Sequence, residues 1–396
     1  MLPQIPFNKP FFSGNESNYI SDAIRRGHIS GDGTYTKRCR KILESDLDAK
    51  SVLLTTSCTH ALEMTALLLN IKPGDEIIVP SFTFVSTINA FVLRGAKPIF
   101  VDIRKDTKNI NESLIEGLIT ERTKAIVPVH YAGVACEMDI ICAVAKDHGI
   151  SVIEDNAHGL FGKYKNRSLG SFGEMSTLSF HETKNIQCGE GGALIINEQN
   201  FCDRAEIIRE KGTNRARFFR GEVDKYSWVD VGSSYLPSDL LAAYLLAQLE
   251  SKDKIQKRRQ QLWQYYFNEL SDWAKTSGVQ LPFVPEHVTQ AYHMFYIVLP
   301  DMVSRELVIN HLKAHNIYSV FHYLPLNTSE MGSKLGCRQG DCPVTEDISD
   351  RILRLPFFVS LSDEEQERVV KTILQIELKG PKIESNAQMS SNRNIC

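Results

Sequence analysis

Short apolar runs alternate with amphipathic stretches over the first two thirds of the chain. A short apolar run between turn-forming residues predicts a buried strand, and apolar residues at every third or fourth position predict a helix. The predicted strands are Glu76–Pro80, Lys97–Val101, Ala125–Val129, Ser151–Glu154, Met175–Phe180 and Ala193–Asn197. The predicted helices are Thr59–Asn70, Phe84–Arg94, Ser113–Leu118, Glu137–His148 and Phe201–Lys211, two of them closed by Gly149 and Gly212. This alternation predicts an α/β fold, with a mostly parallel sheet covered by helices.

The pattern changes after residue 236. Pro237 and Ser238 predict a helix start with the proline in the first turn, and a long helical stretch then continues past Tyr266. The elements predicted further on are the strands His293–Leu299 and Ser319–His322 and the helices Arg305–His315 and Asp363–Ile376. We therefore predict a large domain over residues 1–236, a smaller α+β domain over 237–378 that begins with the long helix, and a disordered polar tail over 379–396.

The composition is that of a globular protein, since 42% of the 396 residues are hydrophobic and 23% are charged. The net charge of -3 disfavours nucleic-acid binding, for which an excess of basic residues is expected. The sequence contains no apolar run of the about 20 residues that a membrane span needs, and its start has no signal-peptide pattern. Nine cysteines without a CxxC spacing favour reduced thiols over disulfides or a zinc site. These features predict a cytoplasmic protein that needs no metal, membrane or nucleic acid.

The first candidate for chemistry is the segment Ser57-Cys58-Thr59, which follows an apolar run and opens a predicted helix. The free backbone N–H groups and the positive dipole end of a helix start bind phosphate, and two hydroxyl groups add donors. Serine and threonine also cap helices that bind nothing, so an ordinary N-cap is the alternative.

Two further candidates follow predicted strands, at the edge of the sheet where a doubly wound fold binds its ligand. Asp155 directly follows Ser151–Glu154, and a carboxylate in such a place needs a cation or an N–H group as partner. The alternatives are a helix cap and a metal ligand, for which His158 is the neighbour. Lys184 precedes the glycine-rich turn Gly189–Gly192 and becomes a nucleophile if burial lowers its pKa. A lysine on a solvated surface is the alternative.

Together the three candidates match the needs of pyridoxal phosphate, which has a phosphate to hold, a ring nitrogen to keep protonated and an aldehyde to tether. The helix start would hold the phosphate, and Asp155 would face the ring nitrogen. Lys184 would hold the aldehyde and then act as the general base and acid that moves the proton. The sequence thus predicts pyridoxal 5'-phosphate as the cofactor.

Six longer motifs make the chain resemble the pyridoxal phosphate-dependent sugar aminotransferases of the DegT/DnrJ/StrS family, from about Ile5 to about Ile376. They are ISGDGTYTKRCRK, TTSCTHALE, GDEIIVPSFTFVSTINA, PVHYAGVACEMD, VIEDNAHG and SFHETKNIQCGEGGAL. The resemblance implies a fold-type I architecture and a homodimer with its active site at the subunit interface. A narrower resemblance, to members that make a dTDP-4-amino-4,6-dideoxy sugar, is based on FHETKN, REKGTNRARFFRGEVDKYSW and VFHYLPL.

The resemblance also implies roles for residues around the cofactor. Lys184 would bond it as a Schiff base, Asp155 would pair with the pyridine nitrogen, and His158 would lie near the ring hydroxyl. The residues that would hold the phosphate are Ser57, Cys58, Thr59 and Ser179.

Three more residues receive roles from the resemblance. Phe82 would stack on the cofactor ring, with a core position as the alternative. Ser234 occupies the place of an asparagine with which many relatives reach the phosphate of the neighbouring subunit. His322 would lie near the sugar, with a structural histidine as the alternative.

The activity that the resemblance implies is transfer of the amine of L-glutamate to a keto carbon of a nucleotide-linked 6-deoxy sugar, for surface polysaccharide synthesis. The narrower resemblance favours dTDP-4-keto-6-deoxy-D-glucose as the acceptor. The alternatives are a 3-keto sugar, a UDP- or GDP-linked sugar, and a regulatory relative that binds cofactor or sugar without turnover. A Rossmann-type oxidoreductase is disfavoured, because no GxGxxG run follows a strand.

Overall fold

The computed structural model describes residues 3–378. Its α-helices, α1 to α13, are Glu16–Arg25, Thr34–Leu47, Cys58–Leu68, Ser86–Val92, Met138–His148, Cys202–Arg209, Arg215–Phe219, Asp239–Glu250, Lys252–Ser277, Met302–Ala314, Glu330–Lys334, Pro343–Arg351 and Asp363–Leu374. Its β-strands, β1 to β12, are Ser51–Thr55, Glu76–Pro80, Lys97–Val101, Thr123–Ile126, Ser151–Asp155, Lys163–Tyr164, Arg167–Ser168, Met175–Ser179, Gly192–Ile196, Val288–Thr289, Tyr296–Val298 and Ile352–Arg354. The tail predicted over residues 379–396 lies outside the described residues.

Seven strands form the central sheet, in the order β1-β9-β8-β5-β4-β2-β3. β9 pairs antiparallel with β1 and β8, whereas the pairs from β8 through β5, β4 and β2 to β3 are parallel. β1, β2 and β9 are buried along their whole length, as expected for a sheet with helices on both faces. The prediction of an α/β fold with a mostly parallel mixed sheet is confirmed.

One edge of this sheet collects the carboxyl ends of the parallel strands. β1, β5 and β8 run in the same direction and end there at Thr55, Asp155 and Ser179. β9 runs the other way and begins at this edge with Gly192, which pairs with both Thr55 and Ser179. A ligand bound at the carboxyl edge therefore meets the ends of β1, β5 and β8 together.

Most of the predicted elements agree with the structure apart from their ends, and three of them differ. The predicted helix Ser113–Leu118 consists of two 3-10 turns. The predicted long helix is two helices that meet at Ser251, since α8 is buried beside the central sheet, whereas α9 after Ile255 is buried in the cluster of the later helices. Ser319–His322 is not a strand, since its contact with β12 is an isolated bridge at Val320. Pro237 precedes the N-cap of α8 and is not in its first turn.

The buried apolar residues form separate clusters around the sheet and around the later helices. Residues of α9, α10, α13 and β11, such as Tyr266 and Ile297, form one cluster, and β1 separates two others with Val52 and Leu53 on its opposite faces. Although α8 follows residue 236, it packs on α1 and α2 beside the central sheet. The division of the chain into domains at residue 236 stays a prediction.

Asp239 of α8 fixes the start of α2. Its buried carboxylate accepts the backbone N–H groups of Tyr35 and Thr36 at 3.2 Å and 2.8 Å. A Cβ at Gly33 would lie 2.3 Å from the Asp239 carboxylate, so glycine is needed for this approach. The carboxylate thereby caps α2, which has no side-chain cap of its own.

Candidate active site

Three of the predicted residues or segments meet at the carboxyl edge of the central sheet. The Ser57-Cys58-Thr59 segment follows β1, Asp155 ends β5, and Lys184 lies in the loop after β8. Cys58 and Asp155 both act electrostatically on the pKa of Lys184. The three features, which extend from position 57 to position 184 of the sequence, therefore form one cluster.

The start of α3 is capped and lies close to the sheet. The Ser57 hydroxyl accepts the His60 N–H at 3.1 Å, so the N-cap that the sequence offered as an alternative is present. A Cβ at Gly192 would lie 2.4 Å from the backbone nitrogen of Cys58, so glycine there lets the helix start approach β9. The first-turn N–H groups of α3 have no partner within the helix, and at this edge they can bind an anion.

The carboxylate of Asp155 is buried and held from two sides. Its Oδ2 accepts the Thr87 hydroxyl at 2.7 Å, and its Oδ1 accepts the Ala157 N–H at 3.2 Å. The Thr87 hydroxyl lies 2.8 Å from that of Thr83, so two buried threonines order the carboxylate. Each carboxylate oxygen has two lone pairs and accepts one of these hydrogen bonds, so each retains capacity for a further donor.

Lys184 is half-buried beside these groups. Burial lowers the pKa of Lys184 to about 8, although the negative charge of Asp155 acts in the opposite direction. The next residue, Asn185, anchors the loop by donating to the Ala291 carbonyl at 2.6 Å. A lysine whose pKa lies near neutrality is partly deprotonated and can act as a nucleophile. These observations disfavour the alternative of a solvated surface lysine.

Three histidines lie together near Lys184. The ring of His158 stacks on that of His293, with 4.2 Å between the ring centroids. The centroid of the His322 ring lies 6.1 Å from that of His158. Burial lowers the pKa of all three imidazoles well below the ordinary value, so they are neutral. Among the described residues, Nδ1 of His158 is buried without a hydrogen-bond partner. A bound ligand with a polar group would satisfy it.

Two tyrosines bind these histidines. The Tyr323 hydroxyl lies 3.2 Å from Nε2 of His158, and the Tyr131 hydroxyl lies 2.6 Å from Nδ1 of His322. Burial raises the pKa of both phenols, which therefore remain neutral donors. His322, predicted near the sugar, is thus held inside a network of neutral hydrogen bonds.

Phe82 does not have the position that ring stacking requires. It is 1% exposed, and its ring packs against Tyr131 and Tyr323 at centroid distances of 5.1 Å and 5.7 Å. The core position that the sequence offered as the alternative describes it better. Phe84, two residues later, is 55% exposed and lies 6.3 Å from Tyr323. The bend between the two residues turns one ring inward and leaves the other free.

The remaining predicted residues differ in how close they come to this cluster. Thr59 donates its hydroxyl to Ser86 at 2.8 Å, and Ser179 ends β8 opposite Gly192. Both are therefore at the same edge as the start of α3. Ser234 is exposed and forms a backbone bridge with Glu210 outside the cluster. Its predicted contact needs a second subunit and stays a prediction.

Several groups at the site were missed by the sequence analysis. They are Thr83, Thr87, His293, Tyr323 and Arg354, whose charge lowers the pKa of Lys184. The two threonines lie four positions apart within the quoted motif GDEIIVPSFTFVSTINA, and this pair of hydroxyl groups was a usable signal. Tyr323 lies within the quoted motif VFHYLPL, directly after His322, and the tyrosine there was a second usable signal. His293 and Arg354 come from distant segments, and no quoted motif includes them.

Other classes of site are not apparent in the part of the chain that the structure describes. Residues 3–378 contain no cluster of three His, Cys, Asp or Glu side chains that could hold a metal ion. None of the helices in that range has the length and apolarity needed to cross a membrane. A polar cleft of about 940 Å³ lies at the opposite edge of the sheet, near Ser151 and Asn197, and includes none of the predicted site residues.

Comparison with known proteins agrees with this geometry. The model of the DegT/DnrJ/EryC1/StrS aminotransferase family matches residues 12–374. The spore coat polysaccharide biosynthesis protein SpsC of Bacillus subtilis is 32% identical over 380 residues, which cover 94% of this chain and 97% of SpsC. The aminotransferase TlmJ of Streptoalloteichus hindustanus has a TM-score of 0.86 at 25% identity, with 94% of this chain and 98% of TlmJ covered. Spr1654 of Streptococcus pneumoniae, in its PLP form, has a TM-score of 0.86 at 27% identity, with the same coverage.

The family match covers nearly all of the described residues, and it includes the edge of the sheet that carries Asp155 and Lys184. Its members are aminotransferases, whose chemistry needs a lysine that can lose its proton beside a buried carboxylate. Both groups are present and lie together. The chain belongs to the DegT/DnrJ/EryC1/StrS aminotransferase family.

Proposed function

We propose that this chain is a nucleotide-sugar aminotransferase that moves the amine of L-glutamate to a keto carbon of a 6-deoxy sugar. The proposed acceptor is dTDP-4-keto-6-deoxy-D-glucose, and the proposed product is dTDP-4-amino-4,6-dideoxy-D-galactose. The observation that carries the aminotransferase activity is that the buried Asp155 at the end of β5 and Lys184 in the loop after β8 lie together at the carboxyl edge of the sheet. The description of SpsC as a polysaccharide biosynthesis protein supports a role in surface polysaccharide synthesis.

Pyridoxal 5'-phosphate is the proposed cofactor, and the PLP form of Spr1654 supports it. The residues at the carboxyl edge fit its groups. Asp155 retains a lone pair for the ring nitrogen, and Nδ1 of His158 has no partner among residues 3–378. The N–H groups at the start of α3 would hold the phosphate together with the side chains of Ser57, Cys58, Thr59 and Ser179. When bound, the cofactor supplies an electron sink for the carbon that bears the amine.

The side chains of this chain would do the proton transfer. Lys184 would bond the cofactor, accept the proton from the α-carbon of glutamate, and later donate a proton to the sugar carbon that receives the amine. Asp155 would keep the ring nitrogen protonated, because a nearby negative charge raises the pKa of a cationic acid. Phe84, which replaces Phe82 in this role, would stack on the ring with its exposed face.

A second copy of the chain is the proposed partner. Aromatic and aliphatic side chains before Ser234 are open to solvent, with Phe219 69%, Trp228 79% and Val229 51% exposed. An apolar surface of this kind is typical of a subunit interface. We propose that it is covered in a homodimer, where Ser234 of the partner subunit reaches the phosphate. The cytoplasmic location stays a prediction.

The substrate is tested by incubating the holoenzyme with glutamate and a panel of 3-keto and 4-keto sugars linked to dTDP, UDP or GDP. NMR of the product locates the new amine. We expect an axial amine at carbon 4 of the dTDP sugar. An amine at carbon 3, or turnover of UDP or GDP sugars alone, would establish the corresponding alternative. If glutamate does not change the absorbance of the bound cofactor and no aminated sugar forms, the result would favour the alternative of a regulatory protein that binds cofactor or sugar without turnover.

A pair of substitutions at Thr87 tests how Asp155 is positioned. Thr87→Val removes the hydroxyl that binds Oδ2, whereas Thr87→Ser keeps it. A lost donor to a buried carboxylate costs about 1–3 kcal/mol, so we expect kcat to fall about 10-fold in Thr87→Val and less than about 2-fold in Thr87→Ser. The pH at which the absorbance of the bound cofactor changes should shift in Thr87→Val alone.

The control for this pair is Thr65→Val, which removes another buried hydroxyl, one that donates to the Leu62 carbonyl within α3. It should lower the thermal midpoint without moving the absorbance transition. Equal pH profiles for Thr87→Val and Thr87→Ser would show that the hydroxyl does not act through Asp155.

A further inference from the structure

His158 lies in the loop that follows β5, and stacking sets the plane of its ring. The ring is nearly parallel to that of His293, with 17° between the planes and 4.2 Å between the centroids. His293 is held in turn by Asn185, whose Nδ2 donates to the Ala291 carbonyl at 2.6 Å. The Oδ1 of Asn185 is then the acceptor, and it lies 2.9 Å from Nδ1 of His293. The partner that orients the His158 ring therefore has its own Nδ1 bonded to Asn185.

The two nitrogens of the His158 ring differ in their partners. Nε2 lies 3.2 Å from the Tyr323 hydroxyl, whereas Nδ1 is buried without a hydrogen-bond partner among residues 3–378. The Tyr323 hydroxyl likewise has no second partner in that range. If it accepted an N–H from the histidine, its own proton would have no acceptor, so the paired arrangement is the one in which it donates. Nε2 of His158 is therefore the acceptor.

The groups around His158 keep its ring neutral. Burial lowers the pKa of His158 well below the ordinary value, and the positive charges of Lys184 and Arg354 act in the same direction. The other titratable groups in contact with the ring are the side chains of Tyr131, His293, His322 and Tyr323. None of these groups is an anion that would favour a second proton on the ring. A neutral imidazole carries one proton, so an accepting Nε2 leaves that proton on Nδ1.

We propose that Tyr323 fixes His158 as the tautomer with its proton on Nδ1, and so makes the unpartnered nitrogen a hydrogen-bond donor to the cofactor. The proposal rests on the proposed function and adds the residue that positions this proton. In the proposed site, the phosphate, the ring nitrogen and the aldehyde of the cofactor have partners at α3, Asp155 and Lys184. The ring oxygen remains, and a donor at Nδ1 would stabilise its anionic form. Tyr323 is a positioning residue, because it acts on the cofactor through His158.

The tautomer is measured directly in the full-length apo-enzyme, by NMR of the imidazole nitrogens in protein labelled at histidine. A ring nitrogen that carries a proton and one that carries a lone pair have different chemical shifts. We expect wild-type His158 to show a protonated Nδ1 and an unprotonated Nε2 at neutral pH. Loss of the two signals in His158→Gln assigns them. Tyr323→Phe removes the hydroxyl, so the shifts should move toward the average of both tautomers.

A double-mutant cycle in the holoenzyme tests whether the hydroxyl acts through His158. The glutamine of His158→Gln has an NH2 donor and no tautomers. Tyr323→Phe should therefore lower kcat about 3- to 10-fold when His158 is present, and less than about 2-fold in the His158→Gln background. With His158 present, Tyr323→Phe should also move the absorbance transition of the bound cofactor to higher pH. The reason is that a weaker donor raises the pKa of the ring oxygen.

Tyr266→Phe is the matched control, because it removes another buried phenol hydroxyl. The Tyr266 hydroxyl donates to the Pro356 carbonyl at 2.9 Å, and its ring lies in the cluster of the later helices. This variant should lower the thermal midpoint and leave the tautomer of His158, kcat and the absorbance transition unchanged.

Three results would overturn the assignment. A wild-type His158 with its proton on Nε2, or shifts that Tyr323→Phe leaves unchanged, would mean that Tyr323 does not fix the tautomer. An equal loss of kcat in both backgrounds would mean that the hydroxyl acts on the substrate or the fold and not through His158. The NMR measurement needs no turnover, so these results differ from failure of the proposed function, in which the wild-type holoenzyme itself would not convert its cofactor with glutamate.

Discussion

Replacement of Lys184 by alanine will abolish transamination and leave the fold intact. The residue is assigned both the covalent attachment of the cofactor and the proton transfer, so the turnover rate should fall by about four orders of magnitude or more. Burial lowers the pKa of Lys184 to about 8, so the charged amine destabilises the folded chain at pH 7. The thermal midpoint of the apo-enzyme should therefore not decrease in the variant. Formation of 2-oxoglutarate from glutamate measures the loss.

Borohydride reduction followed by peptide mapping tests the same assignment without turnover. The wild-type enzyme should carry the reduced cofactor on Lys184 alone, and Lys184→Ala should carry none. Lys165→Ala is the matched control, because Lys165 is an exposed lysine paired with Asp139. It should keep activity and labelling. A label on another lysine, or residual turnover in Lys184→Ala close to the wild-type rate, would exclude the proposed mechanism.

The position of the site was predictable because the topology of parallel strands is regular. Apolar runs marked β2, β5 and β8, and the polar residues after such runs must lie at the carboxyl edge of the sheet. Asp155 and Lys184 could therefore be assigned to one place before any coordinates. The nature of each residue then limited its role, since a buried carboxylate and a half-buried lysine have few uses at such an edge.

Contacts between distant segments were not predictable in the same way. Asp239 caps α2 by accepting the N–H groups of Tyr35 and Thr36, which lie 204 and 203 positions before it in the chain. No pattern in either sequence segment predicts this contact. Arg354 reaches the site from β12, after the local motifs have ended. Nothing in the apolar pattern records which of these side chains meet, because the pattern reports burial and not partners.

Phe82 and Phe84 show a second limit. In a strand, residues two apart lie on the same face, so both rings would point the same way. The segment is a bend between β2 and α4, where that rule does not apply, and the two rings differ in exposure, at 1% and 55%. The break at Ser251 has a similar cause. The helical pattern continues through it, but α8 packs on α1 and α2 whereas most of α9 packs in the cluster of the later helices.

Replacement of Asp155 by asparagine should retain the cofactor and slow turnover by about 10²- to 10⁴-fold. The amide is neutral and cannot keep the ring nitrogen charged. It also fits its surroundings poorly, because both oxygens of Asp155 accept hydrogen bonds, from Thr87 and from the Ala157 N–H. An asparagine must turn its NH2 group toward one of these donors, which adds a cost of about 1–3 kcal/mol to folding.

The two effects can be separated with Asp102→Asn. Asp102 is also buried, and its oxygens accept the N–H groups of Val344 and Thr345, not those of Thr87 or Ala157. Its variant should lose stability to a similar extent, while kcat and the pH dependence of the cofactor absorbance stay as in the wild type. Asp155→Asn should lower kcat and displace that absorbance transition toward lower pH, since loss of the carboxylate lowers the pKa of the ring nitrogen. A kcat within about 3-fold of the wild type would mean that the carboxylate does not face the ring nitrogen, and that the cofactor binds elsewhere along the edge.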